Sequence, residues 1–224
     1  MAFYAELLND TSAERARLQS LPIIRDALNG RVTLSEYRRF LVEAYHHVKH
    51  TVPLMMACGA RLPERLEWLR GALTEYIEEE YGHQEWILDD IAACGGDVAS
   101  ARSSAPSAAT ELMVAYAYDT VMRGNPVGFF GMVLVLEGTS TALATTAAKA
   151  LGEHLGVDRT ALRYLSSHGQ LDQEHIGFFE GLMERLDDAG DREAVTRAAR
   201  MFYRLYGAVF ESIREAAPAL AEAA

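Results

Sequence analysis

One short segment, SSHGQLDQEHIGFF, carries His168, Asp172 and His175 at an H-x3-D-x2-H spacing. Residues of an α helix step by about 100° around its axis, so these three side chains fall within about 60° of arc. Leu165 and Phe179 share that face, which is therefore predicted to point into the protein. Buried polar groups are unfavourable without partners. Two explanations fit: the aspartate pairs with a histidine about one turn away, or all three residues bind a metal ion.

A second unusual residue, Glu137, lies near the centre of the apolar segment PVGFFGMVLVLEGTSTALA. On a helix its face includes Phe130, Val133 and Thr141, and no lysine or arginine lies nearby on that face. The carboxylate is therefore predicted to be buried. A buried carboxylate must be protonated, hydrogen-bonded, paired with a cation or bound to a metal.

A third candidate lies in the segment EEEYGHQEW, where Glu80 and His83 have the E-x-x-H spacing that directs a carboxylate and an imidazole from one helix to a metal. Glu79, one turn before His83, could serve in the same way, and so could Asp90 further along. Taken alone, this acidic segment is more typical of a solvated helix face than of a metal site.

Together these segments supply three carboxylates and three imidazoles from three predicted helices. Oxygen and nitrogen ligands without cysteine suit iron or manganese better than a structural zinc site. Six ligands are too many for one catalytic ion with open positions, but they suit two ions that share a bridging carboxylate. The predicted ligands, which are also the predicted catalytic residues, are Glu80, His83, Glu137, His168, Asp172 and His175.

Aromatic residues near these ligands are predicted to shape a substrate pocket. Tyr45 and His46 lie in the histidine-rich segment EAYHHVKHT, while Phe130 and Phe179 flank Glu137 and His175. Placing these side chains in the pocket is the functional interpretation. A plain surface position is the alternative for the histidines.

The elements that must position these residues are helices, because apolar residues recur with helical periodicity almost throughout the chain and no segment alternates as a strand does. Thr33 and Glu36 form a capping box, and Pro63 begins a long helix that ends at Gly95. We predict that residues 1–224 form a single all-α domain, a bundle of seven helices. The predicted helices cover residues 11–28, 33–61, 63–95, 107–123, 126–155, 158–190 and 191 onward.

The composition narrows the classes of molecule that this protein is expected to bind. The net charge of the 224 residues is −11 and only two of them are lysines, which disfavours nucleic acid and anionic membranes. The longest apolar run, residues 127–136, is too short to span a bilayer, and no signal peptide is apparent. Two distant cysteines indicate a reducing cytoplasm. Long helices with apolar faces favour a homodimer.

The order of E-x-x-H, a glutamate in an apolar helix, and H-x3-D-x2-H resembles the haem-oxygenase-like di-iron oxidases and oxygenases. That family shares its fold with haem oxygenase, the thiaminase-II (TenA) proteins and pyrroloquinoline-quinone synthase. The resemblance covers essentially the whole chain, and its most specific part is the C-terminal trio of ligands. It carries the family's ligand set onto the six residues above, with Glu79 as the alternative to Glu80.

The resemblance implies activation of O2 at a dinuclear iron centre. An iron–manganese pair and the use of an external reductant stay open. Family substrates are small amines, amino acids or fatty acids, and outcomes include N-oxygenation, C–C cleavage and decarboxylation, often in biosynthetic pathways. Two alternatives remain open. One is a metal-free enzyme of the TenA or pyrroloquinoline-quinone synthase type, and the other is a non-catalytic protein that binds iron or a small ligand.

Overall fold

The computed structural model describes residues 2–215, apart from the side chains of residues 168–174. Within these residues the chain forms twelve α helices, three short 3-10 helices and no strand, so the all-α prediction is confirmed. The α helices, in chain order, are α1 Phe3–Asp10, α2 Ser12–Gln19, α3 Pro22–Leu28, α4 Leu34–Val48, α5 Thr51–Arg61, α6 Glu67–Glu80, α7 His83–Ala93, α8 Val98–Ser103, α9 Ala108–Met122, α10 Phe129–Leu155, α11 Arg163–Arg185 and α12 Ala189–Glu215.

The prediction of seven helices was wrong, because several predicted helices are broken in two or three. The predicted helix over residues 11–28 is divided into α2 and α3, and Pro22 is the first residue of α3. Pro53 lies in the first turn of α5 and lacks the N–H that would bond to the carbonyl of Lys49, so the predicted helix is interrupted at residues 49–50, between α4 and α5. The start of α4 is as predicted: Thr33 and Glu36 form a reciprocal capping box.

The predicted long helix after Pro63 is also divided. A 3-10 turn at Glu64–Leu66 leads into α6, which ends at Glu80, and α7 begins at His83. Gly82 between them has φ of +94°, a left-handed conformation that glycine adopts without a steric penalty. The break lets α6 pack against α5 while α7 turns to pack against α4 and α11.

The longest apolar helix, α10, is the centre of the bundle. It packs against α3, α5, α9, α11 and α12. The segment Pro126–Leu155 is long and apolar enough to cross a membrane by length and composition alone, but 61% of its most apolar window is buried inside the protein. Most of this helix is therefore covered by its neighbours and belongs to the core of the bundle.

Close packing of α10 against α12 depends on Gly131. A Cβ atom at this position would lie 2.5 Å from the backbone nitrogen of Ala199 and 2.7 Å from the carbonyl oxygen of Val195. Both atoms belong to the backbone of α12 and cannot rotate away. The two helices therefore approach each other this closely only with glycine at position 131.

Replacing Gly131 with alanine is expected to lower the free energy of unfolding by about 1–3 kcal/mol, since the methyl group forces α10 and α12 apart. Gly138 is the matched control on the same helix, because a Cβ there meets no atom within 4 Å. Gly138→Ala should raise stability by about 0.5–1 kcal/mol, the usual gain in a helix interior. Urea unfolding of both variants measures this. Equal effects of the two substitutions would contradict the close approach.

Candidate metal centre

Three of the six predicted ligands meet in the interior. Glu80 ends α6, Glu137 lies near the middle of α10, and His175 lies in α11. One ligand atom from each lies within 4.8 Å of the other two. Glu80 and His175 are buried, and the Glu137 side chain is only 12% exposed. Residues 57 and 38 positions apart in the sequence thus form a compact group of two carboxylates and an imidazole, which is a donor set that can hold a metal ion.

The imidazole of His175 lies between carboxylates on both of its nitrogens. Its Nε2 is 2.7 Å from Oε2 of Glu79, and its Nδ1 is 3.7 Å from Oε1 of Glu137. Glu137 is the main cause that raises the pKa of His175 to about 9, with Glu79 and Glu80 contributing and burial opposing the rise. The metal-free centre therefore holds an imidazolium at neutral pH.

His83 lies beside the cluster, but not in the way that the spacing suggested. Its Nδ1 is 3.1 Å from Oε2 of Glu80, and its ring is 3% exposed. The prediction that both residues project from one helix was wrong, because Glu80 is the last residue of α6 and His83 the first of α7. The turn at Gly82 brings the two side chains together instead.

Asp90, which the sequence offered as a further ligand, has a structural role. Its carboxylate is fully buried and accepts hydrogen bonds from the backbone N–H groups of Arg163 and Tyr164, at 3.2 and 2.9 Å. These are the first residues of α11, so Asp90 caps that helix and ties it to α7. Burial raises the pKa of Asp90 to about 6, although both hydrogen bonds oppose the rise.

Two predicted ligands cannot be placed. The side chains of His168 and Asp172 lie outside the described residues, although the backbone of α11 runs through both positions. His168 is two turns before His175 on α11, and Asp172 is one turn before it. Their assignment as ligands stays a prediction from the spacing.

A cavity opens beside the cluster. Glu80 and Glu137 form part of its wall, and apolar side chains of α5 and α10 form much of the rest. His47 of α4 also lines it and is 2% exposed. The residues that contribute this apolar wall include Met55, Phe129, Met132, Val133 and Leu136.

None of the four residues predicted to bind substrate lines this cavity. His46 points elsewhere, with Nε2 2.8 Å from Oγ of Ser104, and its neighbour His47 takes the expected place. Tyr45 is buried and packs edge-on against the ring of His46. A shift of one residue moves a side chain by about 100° around a helix, which is enough to turn it away.

Phe130 and Phe129 differ in the same way, because one residue along the helix changes the direction of the side chain. Phe130 is fully buried and packs against Phe179, with ring centroids 6.5 Å apart, whereas Phe129 lines the cavity. Phe130 and Phe179 belong to the hydrophobic core.

Sequence reasoning missed two aromatic neighbours of the cluster. Trp86 lies against His83 with ring centroids 4.0 Å apart, and Tyr76 meets His175 edge-on at 5.7 Å. Both lie one helical turn or less from a predicted ligand residue, Tyr76 before Glu79 and Trp86 after His83. That spacing was the signal that could have identified them.

A family model described as iron-containing redox enzyme matches residues 38–207 of this sequence. No curated protein matches this sequence.

Solved structures share the fold. A domain of unknown function with a heme oxygenase-like fold from Shewanella denitrificans superposes with a TM-score of 0.84 at 23% identity, covering 96% of this chain and 93% of that one. A TenA homologue from Pseudomonas syringae gives 0.81 at 13% identity, and heme oxygenase-1 from Synechocystis in complex with heme gives 0.74 at 13%, with the same coverages. The predicted haem-oxygenase-like fold is thereby confirmed.

The charge state of His175 predicts how the stability of the metal-free protein depends on pH. The pKa of His175 in the folded protein, about 9, exceeds the ordinary value of about 6.5. Its contribution is therefore fully present below pH 6.5 and is lost as the pH rises through 9. Over this range we expect the free energy of unfolding to fall by on the order of 2–3 kcal/mol more in the wild type than in His175→Gln. Urea unfolding at successive pH values tests this, and parallel curves would contradict it.

Proposed function

The chain belongs to the iron-containing redox enzyme family, and from this premise we propose that it is a non-haem oxidoreductase that uses two iron ions and O2 to oxidise a small organic substrate. The observation that carries the proposal is the buried group of Glu80, Glu137 and His175, contributed by three different helices. Carboxylates gathered out of water are unfavourable without a compensating positive charge. A metal ion supplies that charge.

The donor atoms fit iron. The group offers carboxylate oxygens and an imidazole nitrogen, the set that suits iron or manganese. Thiolates, which would favour a structural zinc site, are absent from it. The two cysteines are buried elsewhere: Cys58 donates its S–H to the carbonyl of Pro126.

Two ions are proposed rather than one because the ligands are too many for a single open site. Glu80, His83 and His175 would hold one ion, His168 and Asp172 the other, and Glu137 would bridge both. An iron–manganese pair would use the same ligands. When bound, the metal pair would supply electrons that activate O2, which is the oxidant of the substrate, and an external reductant would return the ions to their reduced state.

The protein's own residues would orient and protect the reacting centre. Glu79 lies at Nε2 of His175, so the proton is held at that nitrogen and Nδ1 faces Glu137. A carboxylate in this position fixes the imidazole tautomer and raises its basicity. The apolar side chains of Phe129, Met132 and Val133 would limit the access of water.

The thiaminase-like alternative is less well supported. It would need a reactive cysteine in the cavity, and neither cysteine lines the cavity beside the cluster. Burial raises the pKa of Cys58 to about 12 and also raises that of Cys94, which makes both poor nucleophiles at neutral pH. Such unpaired, unreactive thiols also agree with a place in the cytoplasm.

Anaerobic titration with ferrous iron tests the centre. We expect about two ions per chain for the wild type. Glu137→Gln and His175→Asn should lower iron affinity by at least about 100-fold, since loss of an outer partner alone costs 10–100-fold. The matched control is His154→Asn, an exposed histidine on the same helix as Glu137, and it should bind iron as the wild type does.

Mixing the reduced, iron-loaded protein with O2 then separates an enzyme from a storage or sensing protein. Rapid consumption of O2 supports the oxidoreductase. Iron binding without such consumption would leave the non-catalytic alternative, and unchanged iron content in Glu137→Gln and His175→Asn would refute the assignment of the ligands.

A further inference from the structure

A second cavity adjoins the metal centre, and its wall is almost entirely hydrocarbon. Helices α3, α4, α10, α11 and α12 enclose it. Side chains that face it from four of these helices include Ile24, Phe40, Ala144, Ala147, Leu151 and Phe210. Protein interiors are closely packed and hold few such voids, because atoms that face empty space lose their dispersion contacts. An apolar cavity of this kind is therefore suited to an apolar ligand.

Small residues on α10 help to open this apolar cavity. Ala144 and Ala147 face it where larger side chains would fill it, and Leu151 continues the same stripe of the helix. Glu137 and Ser140 stand at the other end of that stripe, because all five positions fall within about 80° of arc. One face of α10 thus leads from the carboxylate cluster into the apolar cavity.

The two cavities meet at three residues. Ser140, Tyr164 and Tyr206 line both the cavity beside the metal centre and the apolar cavity. The Ser140 hydroxyl is buried, and in the part of the chain that the structure describes no group hydrogen-bonds to it. A buried hydroxyl without a partner is unfavourable, so a polar atom of a ligand at this junction would stabilise it.

In the described part of the chain the apolar cavity offers no available charged group, which disfavours a ligand with an ionic group in its inner part. No lysine or arginine of the described residues lines it, and Glu36 is the one charged residue described there. Glu36 is already engaged, because it accepts hydrogen bonds from Thr33 and from Arg214.

From this arrangement we propose that the substrate carries a hydrocarbon chain that lies in the apolar cavity along Ala144, Ala147 and Leu151, with its polar head at Ser140 next to Glu137. The proposal rests on the proposed function for the chemistry at the head. From Ser140 to Leu151 the helix rises about 16 Å, which is the length of wall along which the hydrocarbon chain would lie. Small polar amino acids would leave this space empty.

Binding of straight-chain primary alcohols with six to fourteen carbons tests the proposal without any turnover. Because alcohols are uncharged, their affinity for the protein depends on the hydrocarbon chain and not on the charge of a head group. Calorimetry on the iron-loaded protein and on the metal-free protein should show affinity rising about fourfold per methylene and then levelling off once the apolar cavity is full. Absence of binding, or affinity with no dependence on chain length, would overturn the proposal.

A pair of matched substitutions locates the hydrocarbon chain of the bound alcohol. Ala147→Leu should weaken binding of decanol by at least about tenfold and shift the plateau to shorter alcohols, because the added carbons occupy the cavity. Ala142→Leu, the same change at an exposed position of α10, should leave the series unchanged. Equal affinities in the two variants would place the alcohols elsewhere and refute the proposal.

Ser140→Ala separates a ligand contact from a structural one. The substitution should weaken alcohol binding about fivefold, the value of one hydrogen bond, while the melting temperature of the unliganded protein stays the same or rises. A lower melting temperature with unchanged alcohol affinity would show that the hydroxyl serves the fold alone and would remove Ser140 from the proposal. Because alcohol binding does not depend on iron, a failure of this series leaves the iron titration unaffected, and the reverse also holds.

Discussion

The burial of the Glu137 carboxylate is the constraint on which the centre depends. Helix α10 is apolar and enclosed by its neighbours, so a carboxylate at its middle loses most of its contact with water. Such a group persists only where the surrounding structure supplies compensating charge. In the metal-free state His175 supplies part of it as an imidazolium. The further carboxylate of Glu80 leaves the group acidic, which is an arrangement suited to a cation rather than to a neutral core.

Two local features hold the other candidate ligands close to α10. The left-handed turn at Gly82 separates α6 from α7 and lets Glu80 and His83 face each other at 3.1 Å. Asp90 then joins α7 to the first turn of α11 through two hydrogen bonds to backbone N–H groups. The helix that carries His175 is thereby positioned by the helix that begins at His83. Rigid elements tied in this way can hold ligand atoms in a fixed arrangement while the cavities beside them stay open.

In the two proposals above, the chemistry and the recognition of substrate would fall on the same helix. Glu137 is the candidate ligand on α10, Ser140 lies one turn later at the junction of the cavities, and Ala144 and Ala147 line the apolar cavity beyond. Similar folds at 10–23% identity include TenA homologues and a heme oxygenase with heme bound. Because a fold does not by itself determine a reaction, the function has to be argued from the side chains that line the cavities.

Local patterns in the sequence determined the class of fold and pointed to the candidate ligands. Helical periodicity, the capping box at Thr33 and the isolated Glu137 are all signals within a few residues of the chain, where propensity and burial act directly. Only the tertiary structure decided that Glu80 and His83 lie on two helices. Glycine inside a helix costs only about 1 kcal/mol, so packing of α6 and α7 against different partners settles whether the helix breaks at Gly82. Packing likewise decided that His47 and Phe129, and not the adjacent His46 and Phe130, face the cavity, because one residue of register turns a side chain by about 100°.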